Sequence, residues 1–527
     1  MMDSKFDTVV LDIETDSLDA AKIHCICIQD YVTGEQRDFI QEQGCEEFKK
    51  FHNQERKYIM HNGVSFDGPV LERLLGITIP LENIIDTLLI SQMINAHIDG
   101  GHSLKSWGNK LTKSGKLEFK DFDQYSEEML KYCQQDVHVT RKLMQHLAPK
   151  ITRFSTDSVR MEHRIRRIID EQEKHGFYLN VNKAHDLLEE LKTKSEDLKK
   201  DLQTIFATIY TPRFHKTTGK PLKDHVDEFN PSSRKQIAER LQKKYNWVPT
   251  KTTPTGLPVI DEQVLKELQY PEAKMIAEYL LYEKRVSQIK SWLKNVKDDS
   301  RVHGRVITLG CVTSRMSHYG PNMAQVPASY SPYGKECRSL WTIENPDKYC
   351  LVGSDASGLE LRCFAHYLQN PKFTEQVVDG DIHTYNQNII GLKDRPTAKT
   401  WVYAFIYGAG DAKLGQIVGG NTDAGLASRK RFINKVKGMK TLTNNLINLL
   451  QRRKRKYGEY QLVALDKRIL LARSIHSSLN TLIQGAGAII CKQWLLNIID
   501  EVDKQNVDAK PVANVHDEVQ FEVRKEQ

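Results

Sequence analysis

RPTAKTWVYAFIYG, the stretch from residue 395 to residue 408, carries Arg395, Lys399, Tyr403 and Tyr407 at a strict spacing of four positions. On an α-helix this spacing places the four side chains in one continuous strip. Arg395 and Lys399 can grip a triphosphate electrostatically, and the two tyrosines offer surfaces for a sugar and a base. Taken alone, the pattern is equally typical of an amphipathic helix with two core aromatics. The flanking segments decide between these readings.

Two aspartates lie at predicted strand ends on either side of this helix. Asp355 ends the apolar run at residues 349–355, and Asp517 lies within His516-Asp517-Glu518, which has apolar neighbours. A single aspartate at a strand end is usually structural, but two-metal phosphoryl transfer needs a pair of carboxylates to bridge the ions. Asp355 and Asp517 supply such a pair. Together with the basic strip, they favour nucleotidyl transfer from a triphosphate.

A second group of carboxylates occupies the first 150 residues. Asp12 and Glu14 end an apolar strand, and because strand side chains alternate, both project from one face. Asp67 follows a second strand at a turn into a helix, where it could equally be an N-cap. Tyr132 and Asp136 are four residues apart in a helical segment and so share a face.

Each of these features is common by itself, but their order along the chain is not. Four acids and a tyrosine in the order strand, turn and late helix fit a two-metal phosphodiester hydrolase. Carboxylate oxygens suit Mg²⁺ or Mn²⁺, and Tyr132 would orient the attacking water. The first 150 residues are therefore a candidate nuclease.

The hydrophobic pattern predicts an α/β multidomain protein. Residues 1–150 alternate short strands with helices, and residues 157–297 are helical and heavily charged. Strands return after residue 302, helices run over residues 395–450, and a last strand pair surrounds residues 512–523.

The helical region contains one leucine stripe and one polar interruption. We interpret the stripe as a solvated amphipathic arm; its residues are Leu187, Leu188, Leu191, Leu198 and Leu202. Residues 211–228 form the polar interruption, after which an Asn or Ser in residues 230–233 can cap a new helix.

Composition limits the remaining possibilities. The length of 527 residues suits about three or four domains, and the formal charge of +8 is a modest basic excess. The nine cysteines, with Cys25 and Cys27 the closest pair, show no zinc-type C-x-x-C spacing, so we expect reduced thiols and no structural zinc. We find no apolar stretch long enough to span a bilayer and expect a soluble, unsecreted protein without a membrane partner.

Several blocks resemble family A DNA polymerases, especially those of short-tailed bacteriophages, over nearly the whole chain. The blocks are residues 354–366, 380–384, 407–419, 478–484 and the final His-Asp-Glu. The segment of residues 1–150 resembles the DEDD proofreading exonucleases of ribonuclease-H-like fold, in their tyrosine variety. The resemblance implies a 3′-5′ exonuclease domain followed by a right-hand polymerase. Its parts would be the exonuclease at 1–150, the thumb at 155–300, the palm at 301–385 and 476–527, and the fingers at 386–475.

The resemblance also implies roles around the nucleotide. His383, Arg395 and Lys399 would contact the triphosphate, and Lys399 would take part in catalysis. Glu360 and Tyr403 would lie against the sugar and refuse a 2′-hydroxyl, which makes deoxynucleotides the substrate. A tyrosine at position 403 implies ready acceptance of dideoxynucleotides as well.

Further implied roles concern DNA and catalysis. Tyr407 would close over the template position, and Glu518 would join Asp355 and Asp517 as a catalytic acid. The residues implied in DNA contact are Arg315, Gln325, Asn480, Gln484 and His516. The first two would line the primer-template duplex, and Asn480 and Gln484 would touch the minor groove of the nascent pair.

Cofactors and partners follow from the same resemblance. We expect two Mg²⁺ ions at each site, with Mn²⁺ as an alternative, and primer-template DNA and dNTPs as ligands. A phage helicase-primase and a single-strand binding protein are candidate partners in the host bacterial cytoplasm. Residues 206–229 are short where a phage member of the family carries an insert that recruits host thioredoxin, so we expect no thioredoxin clamp.

The C-terminal end differs from the family pattern. Nine residues follow Glu518, whereas family members continue with a further helix and a terminal strand, so the sequence predicts a truncated C-terminus or a tail on a separate polypeptide. Two rival functions stay open at this point. One is an exonuclease whose polymerase half has decayed into a DNA-binding scaffold, and the other is a non-catalytic DNA-binding module.

Overall fold

The computed structural model describes residues 6–112, 117–249 and 251–527. The chain divides into two compact units. The first unit comprises Met1–His175, Arg305–Tyr319 and Asp347–Gln527, and the second comprises Gly176–Gly304 and Gly320–Pro346. This division does not separate exonuclease, palm and fingers, so the sequence-based limits of those parts stay predictions.

The N-terminal part of the first unit is an α/β layer built on a five-stranded sheet. The elements in chain order are β1 (Thr8–Thr15), β2 (Ile23–Asp30), β3 (Gln36–Ile40), α1 (Gln41–Phe51), β4 (Lys57–Met60), α2 (Asp67–Leu75), a 3₁₀ turn (Leu81–Asn83), β5 (Ile84–Asp86), α3 (Thr87–Ile94), α4 (Leu104–Leu111), α5 (Glu127–Ile151) and α6 (Thr156–His175). The strands lie in the order β3-β2-β1-β4-β5. Strands β1, β2 and β3 pair antiparallel, whereas β1, β4 and β5 pair parallel.

The alternation along β1 explains how this sheet is covered. Val9, Leu11 and Ile13 pack into the large hydrophobic core on one face of the sheet. Val10 lies on the opposite face, in a smaller core that includes buried residues of α5. Because side chains alternate along a strand, Asp12 and Glu14 share the face of Val10 and lie on the α5 side, as the sequence pattern predicted.

The middle of the chain supplies the second unit and one short hairpin of the first unit. Its elements in chain order are β6 (Phe177–Leu179), α7 (Val181–Ile205), β7 (Ile209–Phe214), β8 (Pro221–Asp227), α8 (Arg234–Tyr245), α9 (Glu262–Glu267), α10 (Pro271–Asn295), β9 (Arg301–Val302), β10 (Arg305–Ile307), β11 (Ser317–Tyr319), a 3₁₀ turn (Met323–Gln325), α11 (Gly334–Arg338) and β12 (Trp341–Thr342). Strands β10 and β11 form the hairpin, and β12, β6 and β9 form a three-stranded sheet. Ser233 caps α8 by accepting a hydrogen bond from the Gln236 backbone, in agreement with the predicted cap.

One sequence interpretation in the second unit was wrong. The leucine stripe is not a solvated arm, because α7 lies along α10 and Leu187, Leu188 and Leu191 are buried. Residues 211–228 interrupt the helical region as predicted, but they do so as an antiparallel hairpin of β7 and β8, which the sequence did not predict. Nearly all of its residues are exposed, so the hairpin lacks the alternation of apolar and polar residues by which half-buried strands are recognised.

The C-terminal part of the first unit combines a small antiparallel sheet with a helical layer. Its elements are β13 (Tyr349–Asp355), α12 (Leu359–Leu368), α13 (Pro371–Val378), α14 (Ile382–Ile390), α15 (Arg395–Ile406), α16 (Asp411–Ile417), α17 (Thr422–Lys435), α18 (Met439–Tyr457), β14 (Gln461–Val463), β15 (Ile469–Leu471), α19 (Ser478–Lys504), β16 (Ala509–Val515) and β17 (Glu518–Arg524). The sheet has the order β13-β17-β16, and β14 pairs with β15 as a separate hairpin.

Helix α19 corrects one expectation from the sequence. It is long and apolar enough to cross a membrane by length and composition, with a mean hydropathy of 1.3 over its best window, so the expectation of no such stretch was wrong. Within the protein, 61% of that window is buried. Ile483 and Leu482 join two different hydrophobic cores, so α19 is apolar on several sides because it is a core helix.

A buried ionic network connects α6 to α19. The Glu162 carboxylate is fully buried and accepts hydrogen bonds from Lys492 Nζ at 2.7 and 2.8 Å and from Arg468. Arg468 also pairs with Asp466 at 2.7 Å, and Lys492 donates to the Thr308 carbonyl at 2.9 Å. Each buried charge is therefore compensated, which is the condition under which such groups are tolerated in a core.

Candidate active sites

The exonuclease carboxylates meet on the face of the sheet that α5 covers. Asp12 is half-buried and Glu14 is 7% exposed, and their ligand atoms lie within 4.8 Å of each other and of Cys133 Sγ. Cys133 lies on α5, and its Sγ is 3.6 Å from Asp12 Oδ2. The i, i+2 spacing in β1 therefore does what the sequence predicted and brings two carboxylates to one point.

Asp67 and Asp136 adjoin this pair. Asp67 is the first residue of α2, and its carboxylate is buried and receives a hydrogen bond from the backbone of Ile13, between the two β1 acids. Burial, together with the negative charges of Asp86 and Asp136, raises the pKa of Asp67 to about 7. A carboxyl that resists ionisation beside other acids is typical of a site in which a cation completes the charge balance.

Tyr132 lies one residue before Cys133, and four before Asp136, on α5. Its ring packs against Phe119 at 5.8 Å and Phe122 at 6.2 Å between ring centroids. The i, i+4 spacing places it on the same face as Asp136, as predicted.

Sequence reasoning missed Asp86 and Cys133 in this site. Asp86 caps α3 and also accepts hydrogen bonds from the backbones of Asn62 and Val64, which hold the turn leading to Asp67. It ends β5 in the same way as Asp355 ends β13, and this position was a usable signal. Cys133 had no comparable signal.

The second group of predicted catalytic carboxylates lies where β13 ends and β17 begins. In the antiparallel register Asp355 is opposite Glu518, and the backbone N–H of Ala356 donates to the Asp517 carbonyl at 2.8 Å. His516 and Asp517 form the loop of the β16–β17 hairpin, with His516 in the left-handed region at φ 59°. Burial and the negative charges of Glu360 and Asp355 raise the pKa of Asp517. The structure thus brings together the pair of aspartates that the sequence placed on separate strands.

The basic and aromatic strip lies along α15 as predicted. Arg395 and Lys399 are exposed, Tyr403 is half-buried, and Tyr407 forms the C-cap with 44% of its surface exposed. The opposite side of the helix carries the core residues, among them Trp401, Val402 and Phe405. Tyr403 also packs against this core, so only the exposed Tyr407 departs from the alternative of two core aromatics. Gly408, with φ 80°, follows the cap and ends the helix.

Glu360 connects the strip to Arg315. Its carboxylate receives hydrogen bonds from Arg315 at 2.9 Å and from the Tyr407 hydroxyl at 3.0 Å. Burial opposes ionisation of Glu360, but these hydrogen bonds and the charge of Arg315 outweigh it and lower its pKa. Burial and the charges of Glu360 and Asp517 raise the pKa of Tyr403, so this side chain lies near both acids.

The start of α15 is joined to α14 by an ion pair. Asp381 caps α14 and accepts a hydrogen bond from Arg395 at 2.8 Å, and this pair lowers the pKa of Asp381. His383, the second residue of α14, has its ring centroid 6.2 Å from that of Tyr403. Burial and the positive charges of Arg395 and Lys399 lower the pKa of His383, so the three predicted triphosphate contacts share one electropositive region.

The residues predicted to contact DNA are distributed over both units. Arg315 and His516 lie close enough to interact electrostatically, and burial together with Arg315 lowers the pKa of His516. Asn480 and Gln484 are half-buried on successive turns of α19. Asn480 lines a cleft that it shares with Gly408 at the end of the strip helix. Gln325 is exposed in the second unit, where its carbonyl accepts a hydrogen bond from Gln288 at 2.9 Å.

Both sites offer oxygen donors of the kind that hard divalent cations prefer. Asp12 and Glu14 converge at one point, Asp67 adjoins them, and Asp355 and Asp517 adjoin at two strand ends. Carboxylate oxygens without histidine suit Mg²⁺ or Mn²⁺. Burial, and after it the negative charge of neighbouring acids, raises the pKa of Asp67 and of Asp517, and a bound cation would neutralise that negative charge.

Two groups of carboxylates, one of them near a basic and aromatic helix face, are typical of enzymes that transfer phosphoryl groups on nucleic acids. The chain belongs to DNA polymerase family A, whose model matches residues 188–527. A 3′-5′ exonuclease model matches residues 1–152. The protein is a DNA-directed DNA polymerase with a 3′-5′ exonuclease domain.

Phage enzymes are among its relatives. The chain is 31% identical to the DNA-directed DNA polymerases of Enterobacteria phage T3 and Escherichia phage T7, over 98% of this chain and 94% of each relative. It is 25% identical to DNA polymerase I of Aquifex aeolicus over 89% of this chain and 79% of that protein. These relatives support a role in phage DNA replication.

A solved structure supports the fold. The POL domain of Pol1 from M. smegmatis, in complex with DNA primer-template and dNTP, matches with a TM-score of 0.77 at 17% identity. The match covers 98% of this chain and 89% of that chain. It confirms the predicted mixed α/β polymerase architecture.

Proposed function

We propose that this polymerase adds deoxynucleotides to a primer 3′ end between β13, the β16–β17 hairpin and α15. The observation that carries the proposal is the adjacency of Asp355 and Asp517 at two strand ends, with Tyr403 near Asp517. The M. smegmatis structure contains primer-template DNA and dNTP, which supports the same ligands here.

Asp355 and Asp517, with Glu518 beside them, would hold two Mg²⁺ ions, and Mn²⁺ would fit the same donors. Bound ions would supply charge neutralisation and an acidified primer hydroxyl. The protein's own contribution is positional. The β13–β17 register fixes Asp355 opposite Glu518, and the hydrogen bond from Ala356 to Asp517 fixes the hairpin loop against β13.

Arg395, Lys399 and His383 would bind the triphosphate. Arg395 and Lys399 project from the first two turns of α15, where the helix dipole adds positive potential. Arg395 is held by Asp381, so an incoming triphosphate would compete with that carboxylate for the guanidinium. Lys399 is exposed one turn after Arg395 on α15, and we assign it to binding the pyrophosphate leaving group.

Glu360 and Tyr403 would exclude a ribose 2′-hydroxyl. Two hydrogen bonds fix Glu360, so it cannot turn aside to admit an extra oxygen without breaking them. The Tyr403 hydroxyl, near Glu360 and Asp517, would accommodate dideoxynucleotides as well as deoxynucleotides. Tyr407, whose hydroxyl donates to Glu360, would close over the template position.

Arg315, Gln325, Asn480, Gln484 and His516 would contact primer-template DNA. Arg315 supports this assignment because it donates a hydrogen bond to Glu360 and also lies near His516, in the β16–β17 loop that holds Asp517. The Asn480 and Gln484 amides both offer a donor and an acceptor, as minor-groove contacts require.

The exonuclease would remove mispaired nucleotides with two metal ions held by Asp12, Glu14, Asp67 and Asp136. The four acids adjoin on the α5 face of the sheet, and this arrangement supports the assignment. Tyr132, on the same helix face as Asp136, would orient the attacking water.

We further propose that the enzyme acts in the host bacterial cytoplasm beside a phage helicase-primase and a single-strand binding protein. Its similarity to phage enzymes supports this setting. A thioredoxin clamp is not expected. The alignment with the phage T7 enzyme spans 666 positions against 527 residues here, so that relative has inserted residues that this chain lacks. The segment at residues 206–229 is accordingly only the short β7–β8 hairpin.

Steady-state nucleotide incorporation tests the nucleotide site. Lys399→Ala should raise the KM for dNTP and lower kcat, because a positive charge on the triphosphate is lost. Lys413→Ala removes an equally exposed lysine from α16 and should leave both constants unchanged. Equal activity of the two variants would contradict the assignment of the strip.

A further inference from the structure

Three cysteines form a cluster of thiols in the exonuclease part of the chain. Cys25, Cys27 and Cys133 are each 0% exposed, and their sulfur atoms all lie within 4.8 Å of one another. Cys25 and Cys27 alternate on β2 and therefore project from the same face of the sheet. Cys133 reaches that face from α5.

The thiol cluster adjoins the exonuclease acids because of the β1–β2 register. Asp12 is paired with Cys27, and Glu14 with Cys25. Directly opposed residues of an antiparallel pair project from the same face, so the two carboxylates and the two thiols share one surface. Cys133 belongs to both groups, because its Sγ also lies within 4.8 Å of the Asp12 and Glu14 ligand atoms.

We propose that the thiol cluster is a binding site for a thiophilic divalent cation of the zinc and cadmium class, and that its occupancy inhibits the exonuclease through Asp12. The inhibition rests on the proposed exonuclease function, whereas cation binding does not. Neither the spacing of the cysteines along the chain nor the carboxylate pattern shows this site, since only the pairing of β1 with β2 and the packing of α5 create it.

The distances suit such an ion. Thiolate ligands at about 2.3 Å from a tetrahedral zinc lie about 3.8 Å apart, so sulfur atoms already within 4.8 Å need to move by about 1 Å or less. A thiolate and a carboxylate oxygen on the same ion lie about 3.5 Å apart. Cys133 Sγ and Asp12 Oδ2 are 3.6 Å apart, so Asp12 already lies at ligand distance from one of the three thiols. Asp12 does not form one group with Cys25 and Cys27, so its carboxylate must move toward them to become the fourth ligand.

Two other roles for these cysteines are less well matched. Alternate residues of a strand have Cα atoms about 6.7 Å apart, at the upper limit for a disulfide, so a Cys25–Cys27 bond is disfavoured. Core packing accounts for three small buried side chains, since cysteine is often fully buried. Packing alone predicts no cation binding, so the two explanations differ in a measurable way.

Binding is a proton-for-metal exchange without electron transfer. Three S–H bonds break, three metal–sulfur bonds form, and three protons leave to solvent. The cation would enter from the carboxylate side, because Asp12 is half-buried whereas the thiols are fully buried. Once Asp12 is a ligand of the thiol-bound ion, it cannot hold a catalytic ion in the arrangement that hydrolysis requires.

Cadmium titration of the reduced full-length chain tests the site directly. Cd²⁺ bound to thiolates gives an ultraviolet charge-transfer absorption, which should rise to saturation at one ion per chain and be lost in Cys27→Ala. Cys45→Ala removes a buried thiol of α1 outside the cluster and should keep the absorption. No absorption in the parent chain, or an undiminished one in folded Cys27→Ala, would overturn the proposal. Cys25→Ala, checked by circular dichroism, serves the same purpose if Cys27→Ala does not fold.

Primer shortening in Mg²⁺ tests the inhibition. Zn²⁺ should inhibit the parent chain at concentrations about tenfold or more below those that inhibit Cys27→Ala, in the range expected when a supporting ligand is lost. Equal sensitivity of the two proteins would overturn the link to Asp12. Absence of Mg²⁺-dependent shortening in the untreated parent chain would instead contradict the proposed exonuclease function, and the cadmium titration would still decide whether the site exists.

Discussion

Replacing Glu162 by glutamine should destabilise the first unit by about 3–5 kcal/mol at pH 6, the usual cost of removing one partner from a buried ion pair. The Glu162 carboxylate is fully buried and accepts two hydrogen bonds from Lys492 at 2.7 and 2.8 Å and one from Arg468. After the substitution, Arg468 keeps Asp466, but Lys492 keeps only a neutral partner, the Thr308 carbonyl at 2.9 Å. The amide is nearly isosteric with the carboxylate, so the effect reports charge rather than volume.

The size of this loss should depend on pH. Burial lowers the pKa of Lys492 to about 8, and Glu162 is the main group that opposes this lowering. Because the pKa in the folded protein lies below the unfolded value of about 10.4, the lysine's contribution to stability increases as pH rises from about 8 to 10. Without Glu162 the folded pKa falls further and this rise begins at lower pH. The difference between variant and parent should therefore shrink from pH 6 to pH 9.

Urea unfolding followed by near-ultraviolet circular dichroism at pH 6 and pH 9 measures both effects. Glu190→Gln, which breaks an exposed pair with Lys194 on α7, should change the free energy of unfolding by less than about 0.5 kcal/mol. The double variant Glu162→Gln, Lys492→Met should recover part of the loss. A loss below about 1 kcal/mol at pH 6, or an equal loss at both pH values, would refute the reasoning.

Three further predictions concern the two active sites. Because the pKa of Asp67 is raised to about 7, its contribution to stability is lost as pH rises from about 4 to 7, so metal-free Asp67→Asn should melt at a higher temperature than the parent at pH 8. Mg²⁺ should raise the melting temperature of the parent more than that of the variant, and the reverse order in calorimetry would contradict the assignment. Glu360→Ala should increase ribonucleotide incorporation relative to deoxynucleotide, whereas Glu375→Ala on the exposed side of α13 should not, as competition between rNTP and dNTP on a gel would show. Tyr403→Phe should lower dideoxynucleotide incorporation by about tenfold or more if its hydroxyl bonds within the site, and unchanged chain termination would exclude that role.

The predictable parts of the sites depend on local periodicity. Asp12 and Glu14 share a face because side chains two positions apart project from the same side of a strand. The α15 strip forms because side chains four positions apart lie on the same face of a helix. The cores opposite these faces are also periodic, so the sequence shows both sides of each element. Such features need no knowledge of which elements are neighbours.

The remaining features depend on tertiary pairing. Cys133 joins Asp12 only because α5 packs on the β1–β2 face, and Glu162 meets Lys492 across more than 300 positions of the chain. The β7–β8 hairpin escaped prediction for a different reason, because its strands bury almost nothing and so have no alternating pattern. The long apolar run of α19 was overlooked in the sequence, and the structure shows that it packs into two hydrophobic cores.

In the proposed function one chain holds two separate carboxylate centres, one that extends a primer and one that shortens it. Primer extension with Mg²⁺ and all four dNTPs, comparing the parent chain with Asp517→Ala and Asp12→Ala, separates the two centres. We expect templated extension by the parent and by Asp12→Ala, and only primer shortening by Asp517→Ala. Extension that survives in Asp517→Ala, or shortening that survives in Asp12→Ala when dNTPs are withheld, would overturn the assignment of two centres.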